Sequence, residues 1–336
     1  MSLRYYQIVS LRDSYNRTIR DLRISLTDRC NFRCFYCLPN GEPPLARKET
    51  ILTFEEIEYI SEIFVSLGIE KVRLTGGEPT LRPDVVEIVE RLGRIEGVGD
   101  LAMTTNGILL PELAEPLAKA GLKRVNIHID TLHPERLERI MRWGKLSAIQ
   151  NGIEAAERAG LRPIKLNAVI ARGYNDTDVA ELAALTIERD WHFRFIEMMP
   201  FGSGDCATVA REQYISNQEV RERIESALGT LTPLPGLPSD EAVNYRLPGA
   251  RGIVGFISPV SAAYCGSCNR MRLTADGKFH LCLLNDDEMD IRKQLRENGP
   301  DAVRAILLKA VHQKPMGHRL QEGIFTRNRR MFQIGG

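Results

Sequence analysis

What the chain lacks narrows its class first. No apolar run approaches the roughly 20 residues that a membrane-spanning helix requires, and the opening stretch MSLRYYQIVSLRDSYNR lacks the continuous apolar core of a secretory signal. Neither sign of charge is in excess: 45 Lys and Arg face 44 Asp and Glu, which argues against a generally basic nucleic-acid binder while allowing a local basic patch. There is no solenoid repeat and no low-complexity segment. Cysteine is scarce. Six of the seven fall into two tight sets of three, unlike the spread framework of a small disulfide-stapled secreted chain. The seventh, Cys206 in FGSGDCATV, reads as an inert structural or loop thiol. What remains is an ordinary globular composition, with a cytoplasmic location expected. At 336 residues the chain suggests one large domain plus a smaller one.

Short β-type runs recur, each followed by a stretch of helical periodicity. The runs are LRISLT (22–27), KVRLTG (71–76), LAMTTN (101–106), RVNIHID (124–130), IKLNAVIA (164–171) and FRFIEMM (193–199). Amphipathic stretches at 53–68, 82–93, 111–121 and 147–160 lie between them. Thr53 with Glu56 has capping-box spacing. Gly68, Gly121 and Gly160 stand where helices stop, and Pro83 and Pro111 suit first helical turns. This alternation predicts a parallel α/β sheet, read as an incomplete (β/α)6 TIM-type barrel, because two further strand–helix units needed for closure are not evident. The Pro/Gly-rich segment 228–252 ends the pattern. It divides residues 1–227, the partial barrel, from residues 228–336, an α+β extension expected to close it. The extension holds a hairpin turning at Asp276–Gly277 and a helix around 301–313.

Chemistry gathers where a parallel sheet places active sites, after the strand ends. Cys30, Cys34 and Cys37 in DRCNFRCFYC follow the first strand. A structural zinc would need a fourth ligand, and the next histidine is His128. An iron–sulfur cluster tolerates an iron with a non-protein ligand more readily. Three thiolates on a 4Fe–4S cube leave one iron to chelate a small molecule. Cys265, Cys268 and Cys282 repeat the theme, with zinc and His280 as the competing reading. Arg270 and Arg272 lie just beyond the second cysteine of that set, on one face if extended, as a clamp for phosphate or a polar base. Arg23, Arg73, Lys165 and Arg194 occupy separate strands at positions normally apolar, which suggests a lumen lined for a large anion such as a triphosphate.

The C-x3-C-x2-C spacing, with Tyr36 before its last cysteine and GGEP (Gly76, Gly77, Glu78) after the second strand, resembles the radical S-adenosylmethionine superfamily. The combination with RLTGGEP, TTNG, RFIEMMP, FISPVSAAYCGSCNRMRLTADGKFHLCL and RRMFQIGG resembles, over nearly the whole chain, the GTP 3′,8-cyclase family of molybdenum cofactor biosynthesis. That resemblance implies two 4Fe–4S clusters. The first would cleave S-adenosylmethionine to a 5′-deoxyadenosyl radical that takes the ribose 3′ hydrogen of GTP. The second would bind the guanine. The implied product, 3′,8-cyclo-7,8-dihydro-GTP, passes to a pyranopterin monophosphate synthase, and the electron comes from a reductant such as flavodoxin or ferredoxin.

By motif, Tyr36, Gly76, Gly77, Glu78, His128 and Met199 correspond to the S-adenosylmethionine site. Arg23, Arg73, Thr104, Lys165, Arg194, Arg270, Met271 and Arg272 correspond to the GTP site. Arg270, Arg272, Gly335 and Gly336 are expected to be catalytic, the Gly-Gly tail threading into the site with Arg329 and Arg330 adding charge. His128 departs from the family, which carries serine there. Neither a nucleic acid nor a membrane is expected as partner, and a homodimer is the assembly considered. The alternatives are a radical peptide-modifying enzyme with an auxiliary cluster and a zinc-binding interaction module on a barrel.

Overall fold

The computed structural model describes residues 10–38, 45–202 and 205–335. Six strands with crossover helices build the first part: β1 (Asp21–Ser25), β2 (Lys71–Thr75), β3 (Asp100–Thr105), β4 (Arg124–His128), β5 (Lys165–Ile170) and β6 (His192–Glu197). Around them lie α1 (Phe54–Ser66), α2 (Val85–Arg94), α3 (Leu110–Lys119), α4 (Pro134–Met141), α5 (Leu146–Arg158), α6 (Val179–Glu188), α7 (Asp205–Glu212) and α8 (Asn217–Leu228). Thr53 and Glu56 form the expected capping box on α1. Gly68, Gly121 and Gly160 take positive φ just beyond α1, α3 and α5. Pro111 sits in the first turn of α3, but α2 begins at Val85 behind the N-cap Asp84, so Pro83 precedes the helix.

The second part contributes β7 (Thr232–Pro233), β8 (Val243–Arg246), β9 (Ile253–Ile257), β10 (Arg270–Leu273), β11 (Lys278–His280) and β12 (Met289–Asp290). It also holds α9 (Ile291–Asn298), α10 (Pro300–Val311) and the short α11 (Met331–Ile334). All twelve strands form one open sheet in the order β12-β11-β10-β1-β2-β3-β4-β5-β6-β9-β8-β7. β10 pairs in parallel with β1 and β9 in parallel with β6, so the extension supplies the two outermost parallel strands. These are the two units the sequence did not reveal. The β7–β8 hairpin intervenes before β9 and no α-helix separates β9 from β10, so the strand–helix alternation does not continue through them. Antiparallel hairpins cover both flanks, one of them turning at Gly277 as expected.

The parallel strands carry two patterns at once. Leu22, Ile24, Val72, Leu74, Val125, Ile127, Leu166 and Phe193 point outward and are buried under the helices. The alternate positions point into the lumen, because successive strand side chains face opposite ways. Those inward residues stack in layers along the strands. Asp21, Lys71, Arg124, Lys165 and His192 form the floor at the amino ends. Arg23, Arg73, Asn167 and Arg194 form the middle. Thr75, His128 and Val169 lie at the carboxyl ends.

Candidate active site

The first cysteine loop leaves β1 and returns over the carboxyl ends of the strands. Cys30, Cys34 and Cys37 line one chamber with Tyr36, Gly76, Gly77, Glu78, His128 and Met199. Gly76 and Gly77 do more than open space. A Cβ on Gly76, which has φ +137°, would strike the Thr27 carbonyl, and one on Gly77 the Arg29 carbonyl. The glycines therefore let the cysteine loop lie directly on the end of β2. Glu78 is committed as well: its buried carboxylate accepts from Thr80 N at 3.0 Å, Thr105 Oγ1 at 2.7 Å and Asn106 N at 2.7 Å. It ties the ends of β2 and β3 together at the edge of the chamber it lines. Tyr36 Oη donates to Asp130 at 2.7 Å and meets His128 Nε2 at 2.6 Å, while His128 lies 3.0 Å from the same carboxylate. His128 is thus held in a local triad at the chamber wall. Cys206 is buried on α7 with its thiol 3.6 Å from the Cys37 carbonyl, as a structural thiol should be.

Burial pushes the Cys30 thiol up to about 12, helped by the nearby Glu78, and raises Cys34 and Cys37 too. A bound cationic cluster would reverse that cost, since a metal ion stabilises the thiolate. The donor set, all sulfur and partly open to the chamber, fits an iron–sulfur cluster.

Cys265, Cys268 and Cys282 line a second chamber with Arg23, Arg73, Arg194, Arg270, Arg272 and Lys314. Burial alone would raise the Cys268 thiol, but Lys314, Arg270 and Arg17 bring it down to about 7. His318 lies in hydrogen-bond contact with Cys265 and lowers that thiol against its burial. Three residues that escaped the sequence hold this loop. Arg17, paired with Asp13 at 2.5 Å, donates to the carbonyls of Cys265 at 2.6 Å, Pro315 at 2.7 Å and Met316 at 2.9 Å. Lys314 donates to Arg270 O at 2.9 Å and Leu281 O at 2.5 Å, and His318 Nε2 contacts Pro259 O at 2.8 Å. No spacing signal marks them, because their partners are distant backbone carbonyls.

His280 does not join the cysteines. β11 ends at His280 and the chain then turns, so Leu281 and Cys282 line the chamber while His280 is buried 3.5 Å from Glu288. On β10 Met271 alternates with Arg270 and Arg272, so its side chain packs in the hydrophobic core and only its backbone faces the arginines' side of the strand. Among the described residues no group of three or more His, Cys, Asp or Glu side chains is arranged around a single metal ion.

The two chambers share Thr104, Asn167, Ile196, Met199 and Met331 as a common wall. Below them, Lys165 lies in the floor chamber rather than beside the second cysteine set. Gly335 packs where β1 and β2 end: a Cβ there would collide with Thr75 and meet Ser25 Oγ at 2.5 Å, and φ is +85°. Its carbonyl accepts from Arg272 Nη1. Gly336 lies outside the described residues. Arg329 is not free to bind phosphate, because Asp276 holds it at 2.9 Å and Glu288 at 2.5 Å. Arg330 lines neither the second chamber nor the floor. No helix among the described residues is long and apolar enough to cross a membrane.

Comparison with known proteins fits this layout. Residues 24–186 match the family described as Radical SAM superfamily and residues 191–320 that described as Molybdenum Cofactor Synthesis C. The GTP 3′,8-cyclase of Moorella thermoacetica is 45% identical over 97% of this chain and 100% of that relative. That of Heliobacterium modesticaldum is 46% identical over 96% and 99%. Among solved structures, Streptococcus suis SuiB bound to precursor peptide SuiA superposes with a TM-score of 0.65 at 16% identity, covering 90% of this chain and 67% of that one. The superposition shows a shared fold, and the Radical SAM family match implies a 4Fe–4S cluster and S-adenosylmethionine. With relatives this similar along their full length, the chain belongs to the GTP 3′,8-cyclase family.

Proposed function

We propose that the protein converts GTP to 3′,8-cyclo-7,8-dihydro-GTP, with residues 1–227 generating the radical and residues 228–336 completing the GTP site. The observation that carries this reading is the shared wall: each chamber has three cysteines, and Thr104, Asn167, Ile196, Met199 and Met331 border both. Cys30, Cys34 and Cys37 would hold one 4Fe–4S cluster and Cys265, Cys268 and Cys282 a second. When bound, the first cluster with S-adenosylmethionine supplies a 5′-deoxyadenosyl radical that takes the ribose 3′ hydrogen.

The chain's own residues position and enclose. Tyr36, His128 and Met199 shape the S-adenosylmethionine chamber, and Glu78 fixes its floor through the ends of β2 and β3. Arg23, Arg73, Arg194, Arg270 and Arg272 face the GTP chamber, and their concentrated positive charge suits a polyanion bound out of water. Lys165 extends that charge to the floor. Arg272 holds Gly335 O, so the tail closes the site from the side of β1 and β2. An electron carrier such as flavodoxin or ferredoxin, a downstream pyranopterin monophosphate synthase and a cytoplasmic setting complete the proposal.

Anaerobic incubation of reconstituted protein with GTP, S-adenosylmethionine and a reductant, followed by mass analysis, tests it. The expected result is the cyclic product together with 5′-deoxyadenosine, from protein holding about eight irons per chain. Colourless protein that retains zinc, or no product from GTP under strict anaerobiosis, overturns it.

A further inference from the structure

Two arginines of the middle layer, Arg23 and Arg73, already hold an anion, and it comes from the chain itself. Glu241 belongs to the segment 234–242 that joins the edge strand β7 to its neighbour β8, and its side chain is 13% exposed. It forms ion pairs with Arg23, with Arg73 at 3.3 Å and with Arg270 at 3.6 Å, arginines drawn from β1, β2 and β10. It lines both the second cysteine chamber and the floor chamber, so it stands between them.

One carboxylate falls short of what surrounds it. Nε of Arg23, Nε of Arg73 and Nη2 of Arg270 are buried without a hydrogen-bond partner among the described residues. Buried donors left unpaired are costly, and a ligand with many acceptor oxygens would satisfy them. The segment that delivers Glu241 is weakly anchored otherwise. Its Leu237 is 64% exposed, and the segment is held by Leu234 N donating to Asn244 O at 2.9 Å, Arg270 donating to Ser239 O at 3.0 Å and Ser267 donating to Pro238 O. β7, at its other end, is two residues long on the sheet edge. A segment with so little apolar burial opens at low cost once its charged contact is replaced.

We propose that Glu241 is a built-in phosphate mimic, holding the arginine cluster in the ligand-free protein and yielding it to a polyphosphate, whose binding swings segment 234–242 outward. Glu241 thereby acts as a specificity-determining residue: a ligand must bring enough negative charge to replace it. The inference rests on the nucleotide reading for the natural ligand, but its device concerns any polyphosphate.

The test uses anaerobically reconstituted full chain and two probes, inorganic tripolyphosphate and GTP, with guanosine as the phosphate-free control. Glu241→Gln should bind both probes about tenfold tighter than the wild type, since a competing anion has been removed. Guanosine affinity should not change. Glu112→Gln, the same charge change on the exposed face of α3 and away from every chamber, should change neither. In the wild type, tripolyphosphate should increase amide exchange across 234–242, a measurement that needs no variant. Unchanged or weaker tripolyphosphate binding by Glu241→Gln, or a segment that stays protected with tripolyphosphate bound, overturns the proposal. Tighter tripolyphosphate binding with no GTP binding at all would uphold the latch and sink the nucleotide reading instead.

Discussion

Lys165 occupies a place where a cation is hard to keep. Burial, and then the charges of Arg194, Arg124 and Arg73, bring its pKa down from its usual value to about 7, with Asp100 opposing them. Because the folded value lies below the unfolded one, the charged lysine costs stability below about pH 7, and that cost is relieved as pH rises toward the unfolded value. Anion binding runs the other way, since only the protonated form attracts phosphate. Tripolyphosphate or GTP affinity should therefore fall as pH rises above about 7, and Lys165→Arg should flatten that profile; equilibrium dialysis across pH 6 to 9, as roughly bracketed by the shift, is the check. A second prediction concerns the thiols. Cys34→Ser and Cys268→Ser should each lower iron content from about eight to about four per chain, leaving the other cluster's absorbance in place.

At the scale of elements, the glycine pair after β2 fixes where the first cysteine loop rests. Gly77→Ala would set a methyl group against the Arg29 carbonyl, a backbone atom that cannot turn aside. The expected cost is about 2–4 kcal/mol in thermal or denaturant unfolding, together with loss of the first cluster, because strain of that kind displaces the loop bearing the ligands. The tail is a second such element. α11 packs Ile334 and Phe332 inside, which delivers Gly335 to the ends of β1 and β2. Deleting Gly335 and Gly336 should abolish formation of the cyclic product while iron content and S-adenosylmethionine binding persist. Full cyclase activity in the shortened chain would remove the tail from the mechanism.

For the whole molecule, the two parts share one sheet. β10 and β9 cover the outer edges of β1 and β6. A chain cut after Leu228 would leave two parallel edges unpaired, and such edges template association. The cut chain should aggregate or lose its cooperative unfolding transition, as measured by size-exclusion chromatography and thermal circular dichroism; a monomer that melts sharply would contradict this.

The sequence by itself determined what depends on near neighbours. Ligand spacing marked both cysteine sets, cations at strand positions normally apolar marked Arg23, Arg73, Lys165 and Arg194 as lumen residues, and the Thr53–Glu56 box set the start of α1. Strand alternation sends the side chain of Met271, between two lumen arginines, into the core. Tertiary structure decided what depends on closure between distant segments. Nothing local in FISPVS or CNRMRL says that those strands will add to opposite edges of the sheet. Nor does anything in LPSDE say that Glu241 will reach the arginines of β1 and β2, or in the stretch after α10 that Lys314 and His318 will flank the second cysteines. A side chain's chemistry is written in its residue type, but its partner is chosen by which surfaces the fold brings together. In this protein the excess of positive charge in the lumen was legible from the strands, and the carboxylate that meets it was not.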